Sequence, residues 1–379
     1  MSKASVQPKT SGISVVAKEI MHTPMLWLLL VVPVVIVAER VSPEAHTMLF
    51  ALSILAIIPL ASMLSHATES VAEKTGDMVG GLLNATLGNL TELIIALTAL
   101  KAGEFILVKA SIAGAVVSNS LFMLGAAFFL GGVKYHVQDF NLAGARLQAS
   151  MMLLASIALL IPSMLGATAE RGSSSFIQDL SLVISVLLLV LYGLGLLFSM
   201  KTHRELFVSR GGDGGHGEEE AAWPFGISVV LLAVVTVCIA FVSEIFVGSV
   251  QVASEELGMS APFVGFIVVA LVGGAAEMTS AFSAARKNRL DLSLSIALGS
   301  AAQIALFVAP VIVLASYVIA PSPMDIALWP GAVLMILIST VTAAYVTSTG
   351  RSAWFVGVLL LAVYLFFAVT LYLLPPKVS

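Results

Sequence analysis

Residues 80–92 read GGLLNATLGNLTE, and residues 265–277, 185 positions later, read GFIVVALVGGAAE. Each stretch ends in a glutamate with a glycine four residues before it. The match between the two copies runs without a gap from 80–125 to 265–310, with ten of 46 positions identical. Chance matching between apolar helices accounts for shared alanines and leucines. It rarely aligns the glycines and the single acid of each stretch in one register. The chain therefore contains an internal repeat centred on a glutamate.

The composition around this repeat is that of a membrane protein. Of the 379 residues, 59% are hydrophobic and 11% are charged, whereas soluble domains carry roughly 25% charged residues. Polar residues lie in short strips between apolar stretches of about 20 residues, the length of a membrane-crossing helix. These continuous stretches exclude a β-barrel, whose strands alternate apolar and polar positions. The predicted fold class is all-α, a polytopic membrane protein.

Hydropathy predicts about 11 transmembrane helices. They fall at 24–40, 46–66, 78–100, 106–131, 147–166, 176–199, 224–246, 262–285, 292–319, 325–347 and 353–375. We expect one extra N-terminal helix plus two inverted five-helix repeats, because an odd number of spans per copy turns the second copy upside down in the membrane. The division is a tail and first helix at 1–40, a first repeat at 41–200, an acidic Gly-rich cytoplasmic linker at 201–222 and a second repeat at 223–379.

The basic residues predict an orientation. With the N-terminus cytoplasmic, thirteen of the eighteen lysines and arginines fall on the inside, as the positive-inside bias requires. The C-terminus is then outside. The compact loops and the lack of a targeting peptide favour a bacterial inner (plasma) membrane, with a vacuolar membrane left open. The expected partners are membrane lipid and transported cations, not nucleic acid, and a homo-oligomer remains open.

Each repeat glutamate lies inside a predicted span, where a charge costs at least about 2.5–3.5 kcal/mol. Such a residue is either protonated or faces a cation, and that choice is itself an exchange mechanism. Two carboxylates carry two negative charges, which one Ca²⁺ or two protons neutralise, and oxygen ligands suit hard cations. Glycine weakens a helix, so each glutamate is expected beside a local break. A buried structural pair is the alternative, but no lysine or arginine lies in these two helices to pair with Glu92 and Glu277.

Other side-chain oxygens lie near the glutamates. Candidate oxygens precede Glu92 (Asn84, Thr86, Asn89 and Thr91), follow Glu277 (Thr279, Ser280 and Ser283), and lie on the next helix of each repeat (Ser118, Asn119, Ser300 and Gln303). Asn89 and Thr91 could equally satisfy the broken backbone. Glu92 has more polar neighbours along the sequence than Glu277, because Asn84 and Asn89 precede it. Glu277 follows only glycines and alanines.

Acidic residues at helix ends supply candidates for an ion entrance. Glu69 and Glu73 lie one helical turn apart near the predicted cytoplasmic end of the second span, and Glu255 follows the seventh span. Ordinary interfacial charge is the alternative, and it stays open. His66, beside the first pair, is either a proton relay or an interfacial histidine.

At these motifs the sequence resembles the calcium/proton antiporter family, within the wider cation/calcium exchanger superfamily, in its bacterial ionic transporter type. The resemblance lies in residues 58–69 and 80–94 of the first repeat and 273–277, 287–291 and 299–304 of the second. It implies an eleven-helix fold with Glu92 and Glu277 at the central calcium and proton sites. The implied metal site is completed, in supporting places, by Asn89, Ser118, Asn119, Ser300 and Gln303. It implies no cofactor, with Ca²⁺ and H⁺ as the transported ions.

Two positions depart from the family pattern. The second motif usually carries asparagine after its first glycine and histidine after its glutamate, where this chain has Gly274 and Met278. One oxygen ligand and one titratable neighbour are therefore missing, which leaves a Na⁺ or K⁺/H⁺ antiporter as an alternative to Ca²⁺/H⁺ exchange.

A channel and an intramembrane enzyme are the two other classes of function that buried glutamates could serve. A glutamate-lined cation channel is disfavoured, because channels build such rings from several subunits. An intramembrane enzyme would need a nucleophile or a substrate-binding cation. Neither histidine nor arginine stands beside the glutamates, so we predict a secondary active transporter and not an enzyme.

Overall fold

A computed structural model describes residues 21, 23–168, 174–203 and 223–376. The N-terminal tail at 1–20 and the acidic residues of the linker lie outside the described residues, so the expectations for them stay predictions.

The chain forms long apolar helices, which confirms the predicted class. Their bounds are α1 Pro24–Val41, α2 His46–Lys74, α3 Asp77–Leu87, α4 Leu90–Lys101, α5 Phe105–Tyr135, α6 Leu142–Thr168, α7 Ser175–Thr202, α8 Phe225–Glu256, α9 Ala261–Gly273, α10 Ala275–Arg286, α11 Leu290–Ile319, α12 Pro330–Thr347 and α13 Trp354–Leu373. Within the described ranges nine helices are long enough to cross a membrane, and the count is eleven if the two bent pairs α3–α4 and α9–α10 each form one span. Helix α2 continues beyond its predicted end at residue 66, which places Glu69 and Glu73 on the helix.

Both predicted breaks are present. The axis bends by 44° between α3 and α4 and by 58° between α9 and α10. The first break falls at Gly88 and Asn89 and the second at Gly274, where the glycines interrupt the helix as expected. Glu92 and Glu277 consequently lie in the first turns of α4 and α10.

Aromatic stacking and a close glycine contact hold the two repeats together. Helix α2 packs along α8, with the rings of Phe50 and Phe246 stacked 5.3 Å apart. Helix α5 crosses the segment α9, where a Cβ added at Gly114 would lie 2.1 Å from the carbonyl oxygen of Phe266. Only glycine permits that approach, which is the usual basis of helix association in membranes.

The all-α expectation missed one small sheet. Strand β1, Val137–Asp139, pairs antiparallel with β2, Arg351–Ala353, and joins the connections that follow α5 and α12. The buried Gln138 donates from Nε2 to the carbonyl oxygen of Ala285 at 3.0 Å, and so fixes the end of α10. Strands of three residues carry no periodic pattern, which is why the sequence did not predict them.

Candidate functional site

The two glutamates lie where the two helix breaks face each other. A Cβ added at Gly273 would lie 3.0 Å from Cγ of Glu92, and one added at Gly88 would lie 4.0 Å from Oε1 of Glu277. Each carboxyl group therefore contacts the break of the opposite repeat. A side chain at residue 273 would therefore push the Glu92 side chain aside by a few tenths of an ångström.

A chain of hydrogen bonds crosses between the repeats beside the glutamates. Asn119 Nδ2 donates to Ser300 Oγ at 2.8 Å, and Ser300 Oγ donates to Asn89 Oδ1 at 2.8 Å. Asn89 Nδ2 in turn donates to Gln303 Oε1 at 2.7 Å. The structure thus brings together four of the residues predicted from sequence. Because Asn89 bonds side chains of the other repeat, it links the first helix break to that repeat.

Two buried oxygens at this point accept no hydrogen bond from any described residue: Asn119 Oδ1 and Glu277 Oε2. An acceptor left without a partner in a low-dielectric interior is costly, and a hard cation is a suitable partner for it. Within the described residues no three histidine, cysteine, aspartate or glutamate side chains are grouped to hold a metal. Two carboxylates with neutral oxygens fit a transported cation, which must also be able to leave.

Glu277 is reached through a polar cleft. The cleft has a volume of about 220 Å³, and its lining includes Glu69, Asn84, Ser280 and Ser300. It continues into a wider mouth of about 540 Å³, where Glu69 is joined by Glu73. Both entrance candidates on α2 therefore line the path that leads to Glu277.

Glu92 faces the opposite kind of surroundings. Its cavity holds about 10 Å³, room for roughly one water molecule. Apart from Glu92 and Ser111, the residues that line this cavity are apolar: Ala96, Ile112, Ala115, Val269, Ala270, Ile304 and Val308. The site is thus open toward the end of α2 that carries Glu69 and Glu73, and closed on the Glu92 side.

This arrangement reverses the comparison made from sequence neighbours. Asn84 and Gly88 of the first repeat line the cleft of Glu277, while Val269 and Ala270 of the second repeat line the cavity of Glu92. Part of the polar motif of the first repeat therefore lines the cleft of Glu277, together with serines and Gln303 of the second repeat. Glu92 has more polar neighbours along the sequence, yet the polar cleft adjoins Glu277, because sequence neighbours on a helix point in different directions.

Several predicted positions lie outside the linings of these cavities. Asn89 and Asn119 adjoin the cleft only through their hydrogen bonds to Ser300 and Gln303. The fully buried hydroxyl of Ser118 donates to the carbonyl oxygen of Ala115 at 3.3 Å and lines neither cavity. Glu255 is exposed in the last turn of α8, and its neighbour Glu256 accepts a hydrogen bond from Thr47. His66 stacks on Trp223, with ring centroids 4.3 Å apart.

Sequence reasoning did not select two residues that line the cleft. Ser65 lies one turn before Glu69 on α2, and its hydroxyl donates to Glu69 Oε1 at 3.4 Å. Ser295 lies on α11, one turn before Gly299. The four-residue helical spacing from Glu69 could have identified Ser65. Ser295 is placed by tertiary packing alone.

The two departures from the family pattern also meet here. A Cβ added at Gly274 would lie 3.6 Å from Asn119 Oδ1 and 3.4 Å from Cε of Met278. Residue 274 therefore adjoins one of the two oxygens that accept no hydrogen bond from the described residues. Its φ of −78° is open to any L-residue.

Comparisons with known proteins agree with this architecture. The profile of the sodium/calcium exchanger protein family matches residues 45–201 and 227–373. A Ca²⁺/H⁺ antiporter of Aphanothece halophytica is 40% identical, covering 91% of this chain and 95% of the relative. The Ca²⁺/H⁺ antiporter ChaA of Bacillus subtilis is 38% identical, covering 86% and 92%.

Solved structures give the same result. The structure of native YfkE superposes with a TM-score of 0.79 at 34% identity, covering 92% of this chain and all of that one. The H⁺/Ca²⁺ exchanger CAX has a TM-score of 0.71 at 16% identity, covering 97% of this chain and 90% of that one, and so supports the fold.

Proposed function

We propose that this chain, which belongs to the sodium/calcium exchanger protein family, is a secondary active transporter that exchanges Ca²⁺ for H⁺. The observation that carries the proposal is the pair of glutamates, each placed against the helix break of the opposite repeat. Relatives at 38–40% identity that are named Ca²⁺/H⁺ antiporters support the choice of ions. No step of this reaction makes or breaks a covalent bond other than to protons, so the chain is a transporter and not an enzyme.

The exchange follows from charge balance. Glu92 and Glu277 together require two positive charges, which two protons or one Ca²⁺ supply. Calcium entering the open cleft reaches Glu277. Its proposed ligands are Glu277 Oε2 and Asn119 Oδ1, the buried oxygens that accept no hydrogen bond from the described residues. Its arrival displaces the protons, because the carboxylates cannot hold both at once. An empty, fully charged pair is disfavoured in the membrane, which couples the two fluxes.

The remaining site residues take supporting roles in this proposal. Asn89, Asn119, Ser300 and Gln303 contribute oxygens when their hydrogen-bond chain rearranges around the ion, and Ser118 supports the turn behind Asn119. Glu69 and Glu73 attract cations to the open mouth. Glu255 serves the opposite mouth when that one opens.

We assign the open mouth to the cytoplasmic side of a bacterial inner membrane, with the N-terminus inside and the C-terminus outside. Lys74 ends α2 beside this mouth, and Lys134 reaches the end of α10, where Nζ donates to the carbonyl oxygen of Arg286. Basic residues on that face follow the positive-inside bias.

A panel of cations tests the choice of ion. In inverted membrane vesicles with a preformed proton gradient, added Ca²⁺ is expected to release protons, whereas Na⁺ and K⁺ at equal ionic strength are not. Proton release by Na⁺ or K⁺ but not by Ca²⁺ would establish the monovalent alternative, for which Gly274 and Met278 are the sequence argument. Cation flux with no proton movement would instead establish a channel.

A further inference from the structure

A tyrosine outside the central helices bonds to the first helix break. The hydroxyl of Tyr192, on α7, donates to the carbonyl oxygen of Ala85 at 2.7 Å, and the side chain is buried. In a continuous α-helix this carbonyl would accept the N–H of Asn89. A break inside a membrane leaves such a carbonyl in need of another partner. Tyr192 supplies that partner, and so helps to fix Asn89 next to the site.

The second repeat contains a matching tyrosine. Tyr364 lies on α13, the last helix of its repeat, as Tyr192 lies on α7, the last helix of the first. The Tyr192 ring stacks on Phe307 with centroids 5.2 Å apart, and the Tyr364 ring lies 5.3 Å from that of Phe122. Phe122 and Phe307 occupy equivalent positions in the repeat alignment. Each tyrosine therefore packs on the same phenylalanine of the opposite repeat.

The two tyrosines differ in what their hydroxyls bond. The Tyr364 hydroxyl is buried and has no hydrogen-bond partner among the described residues. Ala270, which matches Ala85 in the repeat alignment, has a carbonyl oxygen that accepts the N–H of Gly274 at 3.2 Å. The same set of groups thus exists in two arrangements: a tyrosine bonded to the break on the first repeat, and a tyrosine without that bond on the second.

We propose that these two hydroxyls stabilise opposite conformations of the transporter. The Tyr192 bond to Ala85 belongs to the form with the Glu277 cleft open, and a Tyr364 bond to Ala270 belongs to the form that opens the Glu92 side. This rests on the proposed alternating access: inverted repeats exchange their conformations when the open side changes, so the break of one repeat adopts the arrangement that the other has left. Tyr192 and Tyr364 act as positioning residues, since neither hydroxyl contacts the glutamates.

Two cysteine reporters measure the balance between the forms. In a Cys238→Ala background, Ser280→Cys reports the open cleft and, in a second protein, Ser111→Cys reports the closed cavity beside Glu92. Both are treated with the same small cationic thiol reagent in detergent, where the two sides are equally accessible. The ratio of the two modification rates follows the ratio of the two forms, whichever of them predominates.

Tyr192→Phe is expected to lower this ratio by about three- to fifteen-fold, the effect of one hydrogen bond between membrane helices. Tyr364→Phe is expected to raise it, because the change removes a bond from the other form. Both substitutions delete a single hydroxyl from a buried ring, so each is the matched control of the other. Elution and melting temperature in detergent confirm that both variants remain folded.

An unchanged ratio in Tyr192→Phe, or a shift of both variants in the same direction, would overturn the proposal. A shift in Tyr192→Phe with none in Tyr364→Phe would overturn the proposal that the two hydroxyls stabilise opposite conformations. The rate ratio is measured without added Ca²⁺, so it does not depend on the identity of the ion. Failure of the proposed function appears separately, as a parent protein that releases no protons when Ca²⁺ is added to vesicles.

Discussion

The two glutamate-bearing breaks share a sequence pattern but differ in their surroundings. Glu277 faces a polar cleft of about 220 Å³ that leads to a wide mouth, whereas Glu92 faces an almost filled apolar cavity of about 10 Å³. Part of the difference lies on the glutamates' own helices, where Ser280 lines the cleft of Glu277 and Ala96 lines the cavity of Glu92. Both repeats contribute to each lining, and Asn84 of the first repeat lines the cleft, whereas its counterpart Val269 lines the apolar cavity. The comparison shows that inverted repeats need not build equivalent half-sites.

Neutralising the two glutamates tests whether they share one function despite this difference. Glu277→Gln and Glu92→Gln are each expected to reduce Ca²⁺-driven proton movement by more than about 100-fold, above the effect of removing an outer-shell partner of a metal. Each change removes one of the two charges that balance the ion. The measurement is proton release in vesicles containing equal amounts of folded protein. Full activity in either variant would mean that only one acid carries the exchange.

Closing the contact between a break and the opposite glutamate should have the next largest effect. Gly273→Ala places a methyl group 3.0 Å from Cγ of Glu92, and a displaced carboxylate is expected to lower the transport rate roughly ten-fold. Gly248→Ala is the matched control, because a Cβ there meets no atom within 4 Å. Equal rates in the two variants would show that Glu92 tolerates displacement.

Restoring an amide at the second break tests the chemical contrast between the repeats. Gly274→Asn adds an oxygen beside Asn119, and one more neutral ligand is expected to lower the KM for Ca²⁺ roughly five-fold. Gly274→Leu, which has a similar shape but no oxygen, should not lower it. Ca²⁺ titrations of proton release give both values. If leucine lowered the KM as much as asparagine, the effect would be packing and not ligation.

The smallest expected effect concerns the entrance. Glu69→Gln removes a charge that lines the open cleft, and should raise the KM from that side about two- to threefold at low salt and less at high salt. Glu255→Gln, on an exposed helix end, should leave uptake from this side unchanged. Identical behaviour of the two variants would assign both acids to ordinary interfacial charge.

Much of the fold could be read from the chain. Apolar stretches of membrane-crossing length predicted the spans, and Gly88 and Gly273 predicted the two breaks, since both signals are local. The predicted site was partly assembled as expected: Asn89, Asn119, Ser300 and Gln303 form one hydrogen-bond chain. The predictions of Ser118 as a site residue and Glu255 as an entrance residue rest on residue type and position in the chain. Tertiary packing places both away from the cavities.

The sequence by itself determined that the chain crosses a membrane, that it repeats in inverted form, and that two glutamates occupy the repeat centres, because hydropathy and spacing are properties of the chain. Only the tertiary structure decided which glutamate adjoins the open cleft and which residues line that cleft. It also decided that Tyr192 bonds to the first break while Tyr364 has no such bond. The physical reason is that each break finds its partners on helices nearly half the chain away, and the direction in which those helices face depends on how the two repeats pack.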